Sequence, residues 1–288
     1  MAQNSNKPLK KLFDSLPPGK HILMDLDGNV AEIIDGALLT TDYLLEVARG
    51  NISGQSLDKK FGKIDEIQII TPADIWEYGI TVSAENYTWS ANGVADIDMI
   101  SSSSASDTED ITIIGLDISG NEVTQIAILD GQNKVSLTTD LWRVNRVYNS
   151  NGIDLVGNVY IYVDGDIATG VPDVVTTVRG YISIGSGQTY QAVYTVPNGK
   201  TAYVMGMEAS LINKKTAIAE FEIKTRSYEK VFRVQDVFNL ATVGSSTKNY
   251  NFPIPLPYPG KTDICPIANV SVNDVGASLA YTLLLIDD

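Results

Sequence analysis

The 288-residue chain has one cysteine, Cys265, and one histidine, His21. A single thiol excludes an internal disulfide and any cysteine-based metal cluster. A single imidazole removes most zinc chemistry, and it leaves no Ser-His-Asp triad unless His21 itself serves. No run of about 18 apolar residues occurs, so no membrane span is expected. Residues 1–20 carry four lysines with no apolar stretch behind them, so they do not read as a secretory signal. The sequons at Asn51, Asn86 and Asn269 then carry no weight. Basic residues are also scarce: 21 Lys and Arg stand against 35 Asp and Glu, a net charge of −14. The excess is local. Residues 66–165 hold 3 basic and 15 acidic residues, whereas 1–65 hold 8 and 9, and 166–288 hold 10 and 11. A surface of that sign repels phosphate backbones, so no nucleic-acid partner is expected. The acidic middle reads as a solubility device; a cation site or a basic partner is the sharper alternative.

What is present divides into three segments: 1–65, 66–165 and 166–288. Residues 1–20, with Pro17-Pro18, read as an extended arm. HILMDLDGNVAEI then gives an apolar–turn–apolar hairpin pattern, with Asp27-Gly28-Asn29 as a two-residue type of turn. Thr41-Asp42 can cap a short helix, TDYLLEVARG, with Leu44 and Ala48 on one face and Gly50 as its stop. NISGQSLDKKFGK after it is polar and glycine-spaced. Residues 1–65 are too poor in apolar mass for a core of their own. They are expected to dock on their own body, a sister subunit or a larger assembly.

From residue 66 the signal is β. Alternating or Val/Ile/Thr/Tyr-rich runs recur: IQIIT, GITVSA, DITIIGLDI, VTQIAIL, KVSLTT, WRVNRVY and NVYIYVD. Ser119-Gly120-Asn121, Asp130-Gly131 and Asn151-Gly152 supply turn residues between them. A linker is expected at Asp164–Thr177. A second set follows: YISIG, TYQAVYTV, TAYVMGMEASL, AEFEIKTRSY, KVFRVQDVF, ANVSVND and SLAYTLLLID. Val196–Lys200 reads as a hairpin turn between two of these strands. The alternating prolines of 252–260 read as a stiff crossing between sheets or along an edge. The fold expected is all-β: two antiparallel β-sandwich or jelly-roll-like domains behind an extended, partly helical N-terminal anchoring segment.

The search for chemistry starts at His21–Val30. HILMDLDGNV resembles the first motif of haloacid-dehalogenase-type phosphatases, in which Asp25 would be the nucleophile and Asp27 the acid/base. That activity needs a doubly wound parallel sheet, a later Thr or Ser and Lys on phosphate, and a rigid acidic pair for Mg²⁺. The chain lacks strand–helix alternation, has Asn29 in place of the usual Thr, and its late acidic pair is Asp287-Asp288, the last two residues. The turn reading is preferred. Asp164 with Asp166, and Asp107 with Glu109 and Asp110, are minority calcium candidates against solvated loops. Trp76, Trp89 and Trp142 could stack sugars, but aromatics of β proteins more often fill cores. No catalytic, cofactor-binding or metal residue is assigned, and no enzymatic activity is expected.

Several phrases occur in a suggestive order. Glu46–Gly54 (EVARGNISG) with Lys60-Phe61-Gly62, then Ile75-Trp76, Ser101–Thr108, Ile114–Asp117 and AVYTVPNGKT at 192–201, resemble a family of tailed-bacteriophage virion structural proteins. The resemblance implies β-sandwich domains and a place on the particle, and it transfers no catalytic residue. It makes a capsid decoration or head-fibre protein the leading expectation, anchored by residues 1–65 to a major capsid protein. A tail, collar or baseplate protein with possible host-glycan contact comes next. A β-sandwich carbohydrate-binding or carbohydrate-active protein is the reading from another class. A homo-oligomer is expected, a trimer first, assembled in the host bacterial cytoplasm, where a buried lone Cys265 stays reduced.

Overall fold

The structure, a computed structural model of the chain, describes residues 23–24, 29–34, 37–69, 72–78, 86–252 and 254–288. It is almost wholly β and falls into two compact units, Met1–Ser56 and Leu57–Asp288.

In the first unit β1 (Leu23–Met24), β2 (Asn29–Ile34) and β3 (Ala37–Asp42) form an antiparallel sheet in that order. Leu23 pairs with Ala31 and Met24 with Val30, the hairpin expected from HILMDLDGNV. That register leaves five residues, 25–29, inside the last pair, so the connection is longer than a two-residue turn. His21, Asp25, Asp27 and Gly28 lie outside the described residues. Helix α1 (Tyr43–Ala48) follows β3 directly. Gly50, at φ 73°, ends it, and the Gly50 and Asn51 amides donate back to the Val47 and Glu46 carbonyls at 2.9 and 3.0 Å. Its buried side chains are Glu46 and Val47, not Leu44 and Ala48. Glu46 is a tolerable choice because Arg49 and the Asn51 side chain both donate to its carboxylate, at 2.8 and 2.5 Å.

β4 (Gln55–Ile67) has its first two residues in the first unit and the rest in the second, where β5 (Ala73–Asp74) follows. Then come β6 (Ile97–Ser102), β7 (Asp110–Leu116), β8 (Glu122–Ile128), β9 (Val135–Leu141), β10 (Arg143–Asn149) and β11 (Val159–Val163). A two-residue ladder, β12 (Ile167–Ala168) with β13 (Val171–Pro172), precedes β14 (Val178–Ile182). These build two antiparallel sheets, β10-β7-β8 and β14-β11-β6-β9. Ile111, Ile113, Val144 and Val147 from one and Ile97, Ile100, Val159 and Ile161 from the other share one core, which makes a β-sandwich.

The remaining strands are β15 (Tyr194–Thr195), β16 (Lys200–Arg226), β17 (Arg233–Asn251), β18 (Pro257–Tyr258), β19 (Asp263–Val270) and β20 (Val275–Asp287). They form one sheet with β4 and β5, in the order β15-β19-β16-β20-β4; β17 and β18 also pair with β16, and β5 with β19. β16 is its spine. One edge takes β17; the other takes β20 along Lys200–Ile212 and β19 along Ala219–Arg226. The ladder breaks between Asn213 and Thr216, opposite Gly244, whose φ is 101°. There the ribbon folds over. Phe238 and Tyr250 would be about 40 Å apart on a straight strand, yet their rings stack at 6.3 Å. Both halves therefore feed one core: Ala202, Val204, Met207, Ala209 and Leu211 from the first, and Ala217, Ala219, Phe221 and Ile223 from the second.

Sheet membership does not follow the limits 66–165 and 166–288. β4 and β5 belong with the late strands, and β14 with the early ones. Of the turns, Ser119-Gly120-Asn121 closes the β7–β8 hairpin, with Leu116 opposite Glu122 and Gly120 at φ 83°. Asp130-Gly131 instead links strands of different sheets, and Val196–Lys200 joins β15 to β16, which pair with other strands and not with each other. Pro257-Tyr258 lies along the β16 edge, opposite Tyr203 and Ala202, as the proline pattern suggested.

Gly62 on β4 sits at a close approach of backbones. A Cβ there would sit 2.4 Å from the Ile75 carbonyl oxygen and 2.5 Å from the Ala192 nitrogen. Those two atoms are hydrogen-bonded to each other at 2.9 Å and cannot separate freely. Gly62→Ala is expected to destabilise the protein by about 2 kcal/mol, read as a lower denaturation midpoint at unchanged slope. An unchanged midpoint would show that the strand can shift.

Candidate functional site

A buried polar centre lies where β10, β15, β16 and β19 meet. Arg143 is 1% exposed and Asp263 2%. Arg143 donates from Nε and Nη2 to the two Asp263 oxygens at 3.0 and 3.2 Å. Arg226 donates from Nε and Nη2 to Oδ2 at 2.9 and 2.5 Å, and the Thr195 hydroxyl to Oδ1 at 2.6 Å. The carboxylate thus takes five donors, which saturates its lone pairs and leaves it no capacity as a base or ligand. Two guanidiniums share one carboxylate, so a positive charge remains to be accommodated. Arg143 Nη1 gives hydrogen bonds to the Ser90 and Trp142 carbonyls at 2.8 and 3.0 Å. The Trp142 and Trp89 rings lie 4.1 and 5.1 Å from its guanidinium carbon, and the Phe232 ring lies 4.5 Å from that of Arg226.

The tryptophans are thereby placed in structural contacts. Trp76 and Trp142 are buried, and Trp76, Tyr87 and Trp89 form an edge-to-face series at 5.0 and 4.8 Å. They do not offer sugar-stacking platforms. The serine-rich loop is not simply solvated either. Asp107 is 0% exposed and accepts the Ser102 hydroxyl at 2.5 Å and the Val156 and Gly157 amides at 2.8 and 2.9 Å. It staples the 103–109 loop to the 156–157 loop. Asp164 accepts Lys134 at 2.7 Å, and that ammonium holds its carboxyl below the usual range. Asp287 and Asp288 accept Lys200 and the Thr201 hydroxyl, each at 2.7 Å. Among the described residues no group of three or more His, Cys, Asp or Glu is arranged to hold a metal ion. Cys265 is buried; burial and the neighbouring Asp74 push its thiol well above its ordinary pKa, so it is not a reactive thiolate.

Lys60 was not singled out by pattern. It is 2% exposed, its ammonium donates to the Asn145 carbonyl, and it lies 5.5 Å from the Tyr194 ring centroid. Desolvation lowers its pKa from 10.5 to about 7; Asp58 opposes the shift, and Arg146 adds to it. Asp58 is itself bound to Arg146 at 2.8 Å.

The exposed counterpart of these centres is the β16–β17 ribbon. On its outward face Thr216 lies opposite Val243, Ile218 opposite Ala241, Glu222 opposite Val237, and Lys224 opposite Val234. Val243 is 78% exposed, and Ile218, Val237 and Val234 about half exposed. Among the described strands β17 pairs only with β16. A 19-residue strand thus presents a free edge.

Removing one partner of the buried centre leaves two unpaired guanidiniums. Asp263→Ala is expected to cost about 3–5 kcal/mol, measured by urea unfolding; a loss below about 1 kcal/mol would show the centre to be dispensable. Lys60 has the opposite sign. Its folded pKa of about 7 lies below the unfolded 10.5, so folding sheds a proton between those values. The penalty is complete below about pH 7 and fades as pH rises to 10.5, by up to about 1.4 kcal/mol per pH unit. Lys60→Met is expected to unfold at higher urea than the parent near pH 6, with the gap closing towards pH 10. A pH-independent gap would place the ammonium in water.

Comparison with known proteins gives little. No protein-family model matches, and no curated protein matches. Among solved structures, that of infectious bursal disease virus Gx strain aligns with 82% of this chain and 73% of its own, at 10% identity and a TM-score of 0.23. The crystal structure of the infectious bursal disease virus VP2 subviral particle gives 82%, 73%, 10% and 0.22. Likenesses at this level establish neither a family nor a function.

Proposed function

We propose that the chain is a non-enzymatic structural component of a virion, held within an assembly through the β16–β17 ribbon and its N-terminal segment. The observation that carries this reading is the ribbon. Exposed Val234, Val237 and Val243 on a strand with a free edge form a surface that protein–protein contact would cover. The ordered phrases that resemble tailed-phage virion proteins supply the kind of assembly. The reading extends to a head decoration or head-fibre protein, anchored by residues 1–65 to the major capsid protein and forming a homo-oligomer. A tail, collar or baseplate position is the alternative within the same reading.

Quantitative mass spectrometry of purified particles tests it. A copy number equal to the major capsid protein, or a simple fraction of it, is expected for a decoration. A far lower number moves the chain to the tail or a unique vertex, and absence from particles overturns the reading. The anchor is tested by truncation. The cut belongs before Gln55, because β4 carries buried Lys60 and Gly62. The truncated chain is expected to keep its circular dichroism and lose particle binding; full occupancy would refute the anchor.

A further inference from the structure

We propose that a cleft on the outer face of β4, β20 and β16 binds a short neutral oligosaccharide. The cleft has a volume of about 530 Å³, within the range of small-molecule sites. Its floor is made of small side chains. Ser210 on β16 and Ser278 on β20 stand side by side, their hydroxyls 2.6 Å apart. Phe61 and Tyr190 form one wall, edge to face at 5.8 Å and 67°. Glu208 is an exposed carboxylate on the rim.

Three features select the ligand. First, strand addition by a peptide is blocked here. β16 and β20 are flanked by strands, and β4 is bridged at Phe61 by Gln191, so side chains must do the holding. Second, the cleft has no surplus of either sign. Lys63 is tied to Glu77 and Asp65 at 3.1 and 3.6 Å, which leaves Lys59 balanced by Glu208. With a chain charge of −14, an anionic ligand is repelled at long range. Third, the polar groups suit hydroxyls. The serine pair can donate and accept, Glu208 accepts from two hydroxyls, and the Phe61 ring takes the C–H face of a pyranose, while the Lys63 ammonium lies over the Tyr190 ring at 4.9 Å.

The proposal goes beyond the virion reading and is tested on the purified chain, so its failure leaves that reading standing. Chitotetraose, maltotetraose and xylotetraose are titrated by calorimetry and by ligand-observed NMR. Saturable binding of at least one at millimolar concentration is expected. Ser278→Val, which fills the floor with a strand-favouring side chain, is expected to abolish it. Glu208→Ala, at an exposed position, is expected to weaken it about tenfold, with the melting temperature of both variants unchanged. If Ser278→Val unfolds, Glu208→Ala decides alone. No saturable binding by any of the three, or binding that Glu208→Ala leaves intact, overturns the proposal.

Discussion

The second unit depends on the Asp263 carboxylate. It gathers donors from both β-structures on one pair of oxygens. Arg143 comes from the sandwich strand β10; Thr195 and Arg226 come from β15 and β16 of the folded ribbon. Asn145, two residues from Arg143, extends the junction by exchanging two hydrogen bonds with the Thr195 backbone, each at 2.9 Å. A junction of this kind has a sharp geometric optimum. Five donors converge on two oxygens only when both structures hold one relative position, whereas an apolar junction would tolerate sliding. The net positive charge is why aromatic rings gather there: ring faces stabilise a guanidinium that has no second carboxylate.

The phrase Lys60-Phe61-Gly62 shows how a short string can carry structural meaning without an active site. Its residues alternate across β4. Lys60 and Gly62 face inwards, and Phe61 packs on Tyr190 at the surface. Gly62 is there because two backbones cross within reach of a Cβ. Lys60 is there at an energetic cost, and what it gains is one acceptor, the Asn145 carbonyl, in the same stretch of β10 that carries Arg143. Each of the three letters serves the contact between β4 and its neighbours.

The all-β class was legible because alternation and turn residues recur at short spacing. Most of the runs read from sequence coincide with β7–β11, β14, β16, β17, β19 and β20. Pairing was less legible. A residue that tolerates positive φ predicts that the chain turns, not which strand it then joins; Gly131 and Gly199 both turn the chain away from a hairpin. The sequence pattern suggests two strands where β16 is one. The residues between, INKKTAI, contain no glycine or proline, so the strand runs on through the break in the ladder and bends there; the glycine that allows the bend, Gly244, is on the partner strand. β4 does not stand out in the sequence because its inward positions hold Lys60 and Gly62, where a period-two pattern would have apolar side chains. The buried centre could not be read at all. Arg143 and Asp263 are 120 residues apart, and nothing local marks either of them as buried.

Five of the fifteen acidic residues of 66–165 have a local structural role. Asp107 holds a hydroxyl and two amides. Asp117 accepts from the Ser119 and Asn121 amides and fixes the β7–β8 turn. Asp98 accepts the Asp164 amide, while Asp164 holds Lys134. Asp74 accepts the Tyr87 amide. Each sits on a different turn or strand end, where a carboxylate can satisfy backbone donors that the ladders leave over. A cation site requires the reverse: several carboxylates converging with their lone pairs free. Carboxylates dispersed in this way, these five each bound to a backbone, hydroxyl or lysine partner, give the sandwich negative charge without concentrating it. That distribution keeps like-charged surfaces apart.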